Sequence, residues 1–143
     1  MFTTWSTGGR TWQARRLARS AEIPPLFASS SVVTLFTHWT TRGVEFCDGM
    51  LPLNALVECI PRSFSGVLDL CVCHPDDLVT LLLRDRQLCT VRYLSNRANP
   101  IFWLAFYAGI YQMLALDKGL TYSEAQTELA IQLRHKSEGE TDE

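Results

Sequence analysis

Histidine is scarce in this chain, paired cysteines are absent and net charge is close to nil. Three histidines and no CxxC pair among 143 residues argue against a zinc site, which needs four closely spaced thiolate or imidazole ligands. Neither a metal nor a cofactor is expected. Thirteen basic against fifteen acidic residues leave a formal charge of −2, which gives no general attraction to nucleic acid or an anionic membrane. No nucleic-acid partner and no membrane partner are expected. The five cysteines, at 47, 59, 71, 73 and 89, are odd in number and irregular in spacing. Free thiols in a reducing cytoplasm follow. The first nineteen residues lack the apolar stretch of a signal peptide and carry Arg10, Arg15, Arg16 and Arg19. The most apolar segment, Ile101 to Leu116, is broken by Gly109 and Gln112. It falls short of the roughly 20 residues a membrane span requires, and reads as a helix buried on most of its faces.

What the chain does have is an alternation of strand-like and helix-like segments. Residues 1–30 read as an N-terminal arm in which Arg10 to Ala21 is expected as a basic helix, stopped by Pro24-Pro25. Val32-Val33-Thr34-Leu35-Phe36-Thr37 is a β-branched and aromatic run without polar alternation, which suits a central strand covered on both faces. Val44-Glu45-Phe46-Cys47 leads into Asp48-Gly49, a turn signal. Leu53 to Cys59 reads as a helix after Pro52, and Val67 to Cys73 as the second strong strand. A helix from Pro75 to Arg84 with Asp76 and Asp77 in its first turn follows. A weaker strand comes at Cys89 to Leu94. Two helices close the chain, about Asn99 to Leu116 and Ser123 to Arg134, the second capped by Thr121 or Ser123. Lys136 to Glu143 reads as a disordered polar tail. The whole is expected to be α/β, with a small, mostly parallel central sheet and helices on both faces.

In parallel sheets, chemistry gathers at the carboxyl ends of strands. His38 follows the first strong strand and Cys73 ends the second. A cysteine nucleophile needs its thiolate, which a neighbouring imidazole or a helix N-terminus favours. Against this stand plainer roles: a strand-end cysteine as packing, a post-strand histidine as a solvated loop residue. Cys71 and His74 are the alternative nucleophile and base.

The segments Val32 to His38, Val44 to Gly49 and Gly66 to Cys73, followed by Phe106-Tyr107 and Gly119 to Ala125, resemble the caspase-like (CHAT-type, clan CD) cysteine peptidases over about residues 31–134. The resemblance implies a three-layer caspase-like domain over 31–135 and a cysteine endopeptidase acting on a protein substrate. It implies His38 as general base, Cys73 as nucleophile, and the backbone N–H groups of Trp39 and Cys73 as the oxyanion hole. Trp39 stands where the family usually has glycine, and His74 where it usually has a small polar residue. The alternative is a catalytically inactive module of the same fold, acting as a binding or regulatory subunit. Asp48 matches the family's Asp-Gly turn, as turn former or substrate contact. Asp76, Asp77 and Asp85 are candidates for an acidic substrate pocket or, more plainly, a helix start. The 102–111 aromatic helix is expected to be too rich in aromatics for one small sheet to cover, which points to a protein partner or a homo-oligomer.

Overall fold

β-Branched and aromatic runs become strands wherever hydrogen-bonding neighbours exist, and the computed structural model shows which neighbours these are. It describes residues 2–7, 10–15, 18–72, 75–93, 100–117 and 119–139, with side chains from residue 18 onward apart from those of 100 and 134–139. In chain order the elements are β1 (Phe2–Thr7), β2 (Arg10–Arg15), a single 3-10 turn (Ser20–Glu22), α1 (Ile23–Ser29), β3 (Val32–Phe36), β4 (Trp39–Thr40) and β5 (Gly43–Phe46). Then come β6 (Gly49–Leu51), α2 (Leu53–Cys59), β7 (Val67–Cys71), α3 (Asp76–Asp85), β8 (Thr90–Tyr93), α4 (Pro100–Leu116) and α5 (Tyr122–Gly139). The chain is α/β with a small parallel sheet, a three-stranded antiparallel sheet and a two-stranded one. It divides into two compact units, residues 15–97 and residues 2–14 with 98–143. These bounds differ from the arm of residues 1–30 and the 31–135 domain of the sequence reading: residues 2–14 fall in one unit and 15–30 in the other.

In the first unit the parallel sheet runs β3-β7-β8, with Val33 beside Leu68, Leu35 beside Leu70, and Leu68 beside Val91. β3 is thus an edge strand and β7 the centre, contrary to the expectation from the apolar run of β3. Its burial alternates, with Val33 and Leu35 buried and Phe36 51% exposed; composition alone does not report on neighbours. Val33, Leu35, Leu68 and Leu70 point to one face. They join Ile23 and Phe27 of α1, Leu56 and Val57 of α2, and Leu78, Val79 and Leu82 of α3 in one cluster. Phe27 and Phe64 meet edge to face at 5.0 Å.

A buried arginine ties the two longer connections together. Arg86, 3% exposed, follows α3; its Nε donates to Ile60 O at 2.6 Å, past the end of α2, and its Nη1 to Asp85 O at 2.8 Å. Helix ends leave carbonyls without partners, and this guanidinium serves two of them.

The antiparallel sheet β4-β5-β6 is inserted between β3 and α2. Gly43 makes its first turn possible. Its φ is +139° and a Cβ there would lie 2.2 Å from Leu51 O.

Three expectations for the helices and the arm change. Arg10–Arg15 is a strand paired with β1 and not part of a helix; the Gly8-Gly9 dipeptide between the two strands is a hairpin signal that the arginine count overrode. Pro24-Pro25 opens α1 instead of stopping a helix, because proline suits the first turn, where no N–H partner is needed. α5 continues to Gly139, five residues past Arg134, so the first part of the expected disordered tail is helical; residues 140–143 lie outside the described residues.

In the second unit α4 buries Trp103, Phe106, Tyr107, Ile110 and Leu114, one helical face, with Trp103 stacked on Tyr107 at 6.1 Å. The aromatics of 102–111 are mostly covered. Phe102 is 39% exposed, and the more exposed residues are the aliphatic Ile101, Leu104 and Leu116. The exposed apolar surface of α4 among the described residues is thus more aliphatic than aromatic. α4 packs on α5, where Gly109 lets Leu129 approach: a Cβ would lie 2.8 Å from Leu129 Cδ2. Thr121 caps α5 as expected, its Oγ1 accepting from Glu124 N–H at 3.2 Å while Glu124 Oε2 accepts from Thr121 N–H at 2.8 Å.

Candidate active site

β3 and β7 are parallel neighbours, and their last paired residues, Phe36 and Cys71, stand side by side. One further bond, Thr37 N–H to Cys71 O at 3.3 Å, carries the pairing past Phe36. His38 comes next and is exposed. Cys73 and His74 lie outside the described residues, so the structure places one member of the expected dyad. Cys71, the alternative nucleophile, is 5% exposed and unsuited to meeting a substrate.

The hairpin after His38 fixes which way each of its residues faces. Glu45 N–H donates to His38 O at 2.9 Å, and Trp39 pairs with Val44. Hydrogen-bonded and non-hydrogen-bonded pairs alternate along an antiparallel ladder, so Trp39 belongs to a non-bonded pair and its N–H points away from β5. Side chains alternate as well. Val44 is fully buried, and Trp39, Phe46 and Leu51 pack against the core cluster. The opposite face carries Glu45 and Met50, both exposed and paired with each other, and His38, which precedes β4, is exposed as well. Thr37 Oγ1 donates to Glu45 O at 2.5 Å, tying the end of β3 to β5 beside His38.

Asp48 holds this hairpin to the residues preceding α1. Its carboxylate accepts from Ser20 N–H at 3.0 and 3.2 Å and from Ser20 Oγ–H at 2.9 Å, and Cys47 N–H donates to Ala18 O at 3.1 Å. The backbone and hydroxyl bonds from Ser20 hold its carboxyl below the usual 3.8. Asp48 is thus a turn residue with a structural anchor, the plainer of its two expected roles. Asp76 and Asp77 are exposed in the first turn of α3. Asp85 is gripped by Arg84, Nε to Oδ1 at 2.7 Å and Nη2 to Oδ2 at 2.8 Å. The arginine side chains of β2 lie outside the described side chains.

Burial raises the thiols of Cys59 and Cys89 above the ordinary 9.0, which disfavours the reactive thiolate. Cys47, on the β5–β6 turn, is exposed. Among the described residues, no group of three or more His, Cys, Asp or Glu side chains could hold a metal ion, and no helix is long and apolar enough to cross a membrane. No protein-family model, no curated protein and no solved structure matches the chain.

Proposed function

We propose that the chain is a cysteine endopeptidase of the caspase-like type, cleaving a protein substrate through His38 and Cys73. The observation that carries this reading is the register of the parallel pair: Phe36 stands beside Cys71, and His38 and Cys73 each follow two residues later in sequence. In a parallel sheet that rim is where ligands bind. The exposure of His38 and the outward Trp39 N–H support it further.

In this reading the Cys73 thiol gives its proton to His38 and its sulfur attacks the scissile carbonyl carbon. The negative charge on the carbonyl oxygen is met by the Trp39 and Cys73 amides. His38 then passes the proton to the leaving amine nitrogen as the C–N bond breaks, and water hydrolyses the thioester. The indole of Trp39 packs against the core while the adjacent His38 is exposed, which favours an active centre over a purely regulatory module. The three-layer arrangement, with helices on both faces of the sheet, and a cytoplasmic setting belong to the same proposal.

Iodoacetamide labelling followed by peptide mass mapping tests it. Cys73 is expected to outpace Cys47, Cys59, Cys71 and Cys89, and His38→Gln to slow Cys73 severalfold. Labelling of Cys73 no faster than exposed Cys47 would end the peptidase reading and leave the binding module.

A further inference from the structure

A helix with one side in water carries polar residues on that side, and α3 and α5 do so. The exposed positions of α3 include Asp77, Thr80 and Arg84, and those of α5 include Glu124, Thr127 and Glu128. α4 is different. Its 17 residues, Pro100–Leu116, contain no charged side chain. Trp103, Phe106, Tyr107, Ile110 and Leu114 make its buried side. Ile101, Leu104, Ala105, Ala108, Gln112 and Leu116 are exposed and, at helical spacing, line the opposite side. Ile101 is 73%, Leu104 64% and Leu116 80% exposed. Contiguous apolar surface of this kind marks an interaction site.

We infer that a second copy of the chain docks on this stripe, α4 lying antiparallel to its counterpart about a two-fold axis at Ala108. Docking there is independent of the His38–Cys73 reading. Charge, shape and area all select a second copy as the occupant. The stripe holds no charge, so two copies, each with a formal −2, meet there without like charges in contact. A charged partner would find nothing on it to pair with.

The stripe is also self-complementary in size. An axis at Ala108 sets each residue against the one equally far along on the other side of it. Bulky Ile101 then meets small, half-buried Ala115, and Leu104 meets Gln112, the one polar side chain of the stripe. At the axis Ala108 meets Ala108, and two methyl groups there let the helix axes approach to about 8 Å. An isologous pairing of this kind uses a single patch, which each copy already exposes. The 17 residues of α4 span about 25 Å. A contact of that length falls at the small end of specific interfaces, about 1,000 Å² in total, so the dimer is expected to dissociate in the micromolar range.

Sedimentation velocity of the full chain from about 1 to 200 μM tests this, with a reductant present so that exposed Cys47 forms no disulfide. The chain is expected to pass from monomer to dimer across that range. Ala108→Glu places two like charges face to face on the axis and is expected to weaken the dimer about tenfold or more. Leu104→Gln is expected to weaken it about threefold, and Glu124→Gln on the polar side of α5 to leave it unchanged. Both stripe positions are exposed, so melting temperatures at the low concentration are expected to match the wild type; Leu104→Gln decides the matter should Ala108→Glu not fold. A monomer at every concentration overturns the inference, and so does a dimer that neither stripe variant weakens. Monomers that co-sediment with phosphatidylcholine vesicles, and lose that binding in Ala108→Glu, overturn it in favour of a lipid surface.

Discussion

Single residues carry the sharpest energetic consequences. Arg86 is buried and serves two carbonyls, Ile60 O and Asp85 O. Its contact with Glu58 is long, 3.7 Å, and Glu58 is 77% exposed, so the carbonyls and not the ion pair account for its place. Arg86→Ala is expected to cost about 2–4 kcal/mol, by stranding buried acceptors and leaving a void. Arg86→Lys recovers part of it, since an ammonium lacks the planar fork. Glu58→Gln stays within about 0.5 kcal/mol. Urea denaturation of the three variants checks the ranking; a Glu58 effect as large as that of Arg86→Ala would reverse the assignment.

Acid stability is also decided by single residues. Hydrogen bonds from Ser20 lower the carboxyl of Asp48, and bonds from Thr121 lower that of Glu124. Depressed carboxyls contribute stability that is present above their ordinary values, 3.8 and 4.5, and lost as pH falls through their lower folded values. Asp48→Asn is therefore expected to flatten the loss of stability below about pH 4, as read from urea midpoints against pH. An unchanged slope would mean that the Ser20 bonds do not survive in solution. Both groups are fully exposed, so the effects are small.

At the scale of elements, the β4–β6 hairpin depends on Gly43. Gly43→Ala must leave a positive φ and clear Leu51 O, at a cost expected to exceed about 2 kcal/mol. Gly109→Ala makes a useful contrast. Its Cβ meets only the end of the Leu129 side chain, which can turn aside, and alanine gains up to about 1 kcal/mol of helix propensity. Thermal melts should show a clear fall for the first and a change within about 1 kcal/mol for the second. Thr121→Ala removes the cap of α5 and is expected to cost about 1 kcal/mol.

Across the whole molecule, β7 is the strand from which the first unit is built, paired on both sides and with Leu68 and Leu70 buried. Hydrogen exchange is expected to be slowest at its amides within residues 15–97. Leu68→Ala, at a fully buried position, is expected to cost about 2–5 kcal/mol. Faster exchange in β7 than in edge strand β3 would contradict this order.

Much of the element pattern was legible in the sequence because it is local. Leu53–Cys59 forms a helix after Pro52, Thr121 caps α5, and Asp76-Asp77 begins α3, each through neighbours a few residues away. The arm was misread where a count of arginines outweighed a Gly8-Gly9 turn signal. Two proline rings read as a stop in the sequence, yet they suit the first turn of α1. What only the tertiary structure decided is pairing: that β3 lies at an edge and β7 at the centre, that Arg86 reaches Ile60, that Asp48 anchors Ser20. The same holds for the site. His38 could be singled out by its place after an apolar run, whereas only the β3–β7 pairing sets its strand beside the one that leads to Cys73. Strand neighbours and cross-strand partners are set by hydrogen bonds between distant residues, and such bonds leave no periodic trace along the chain.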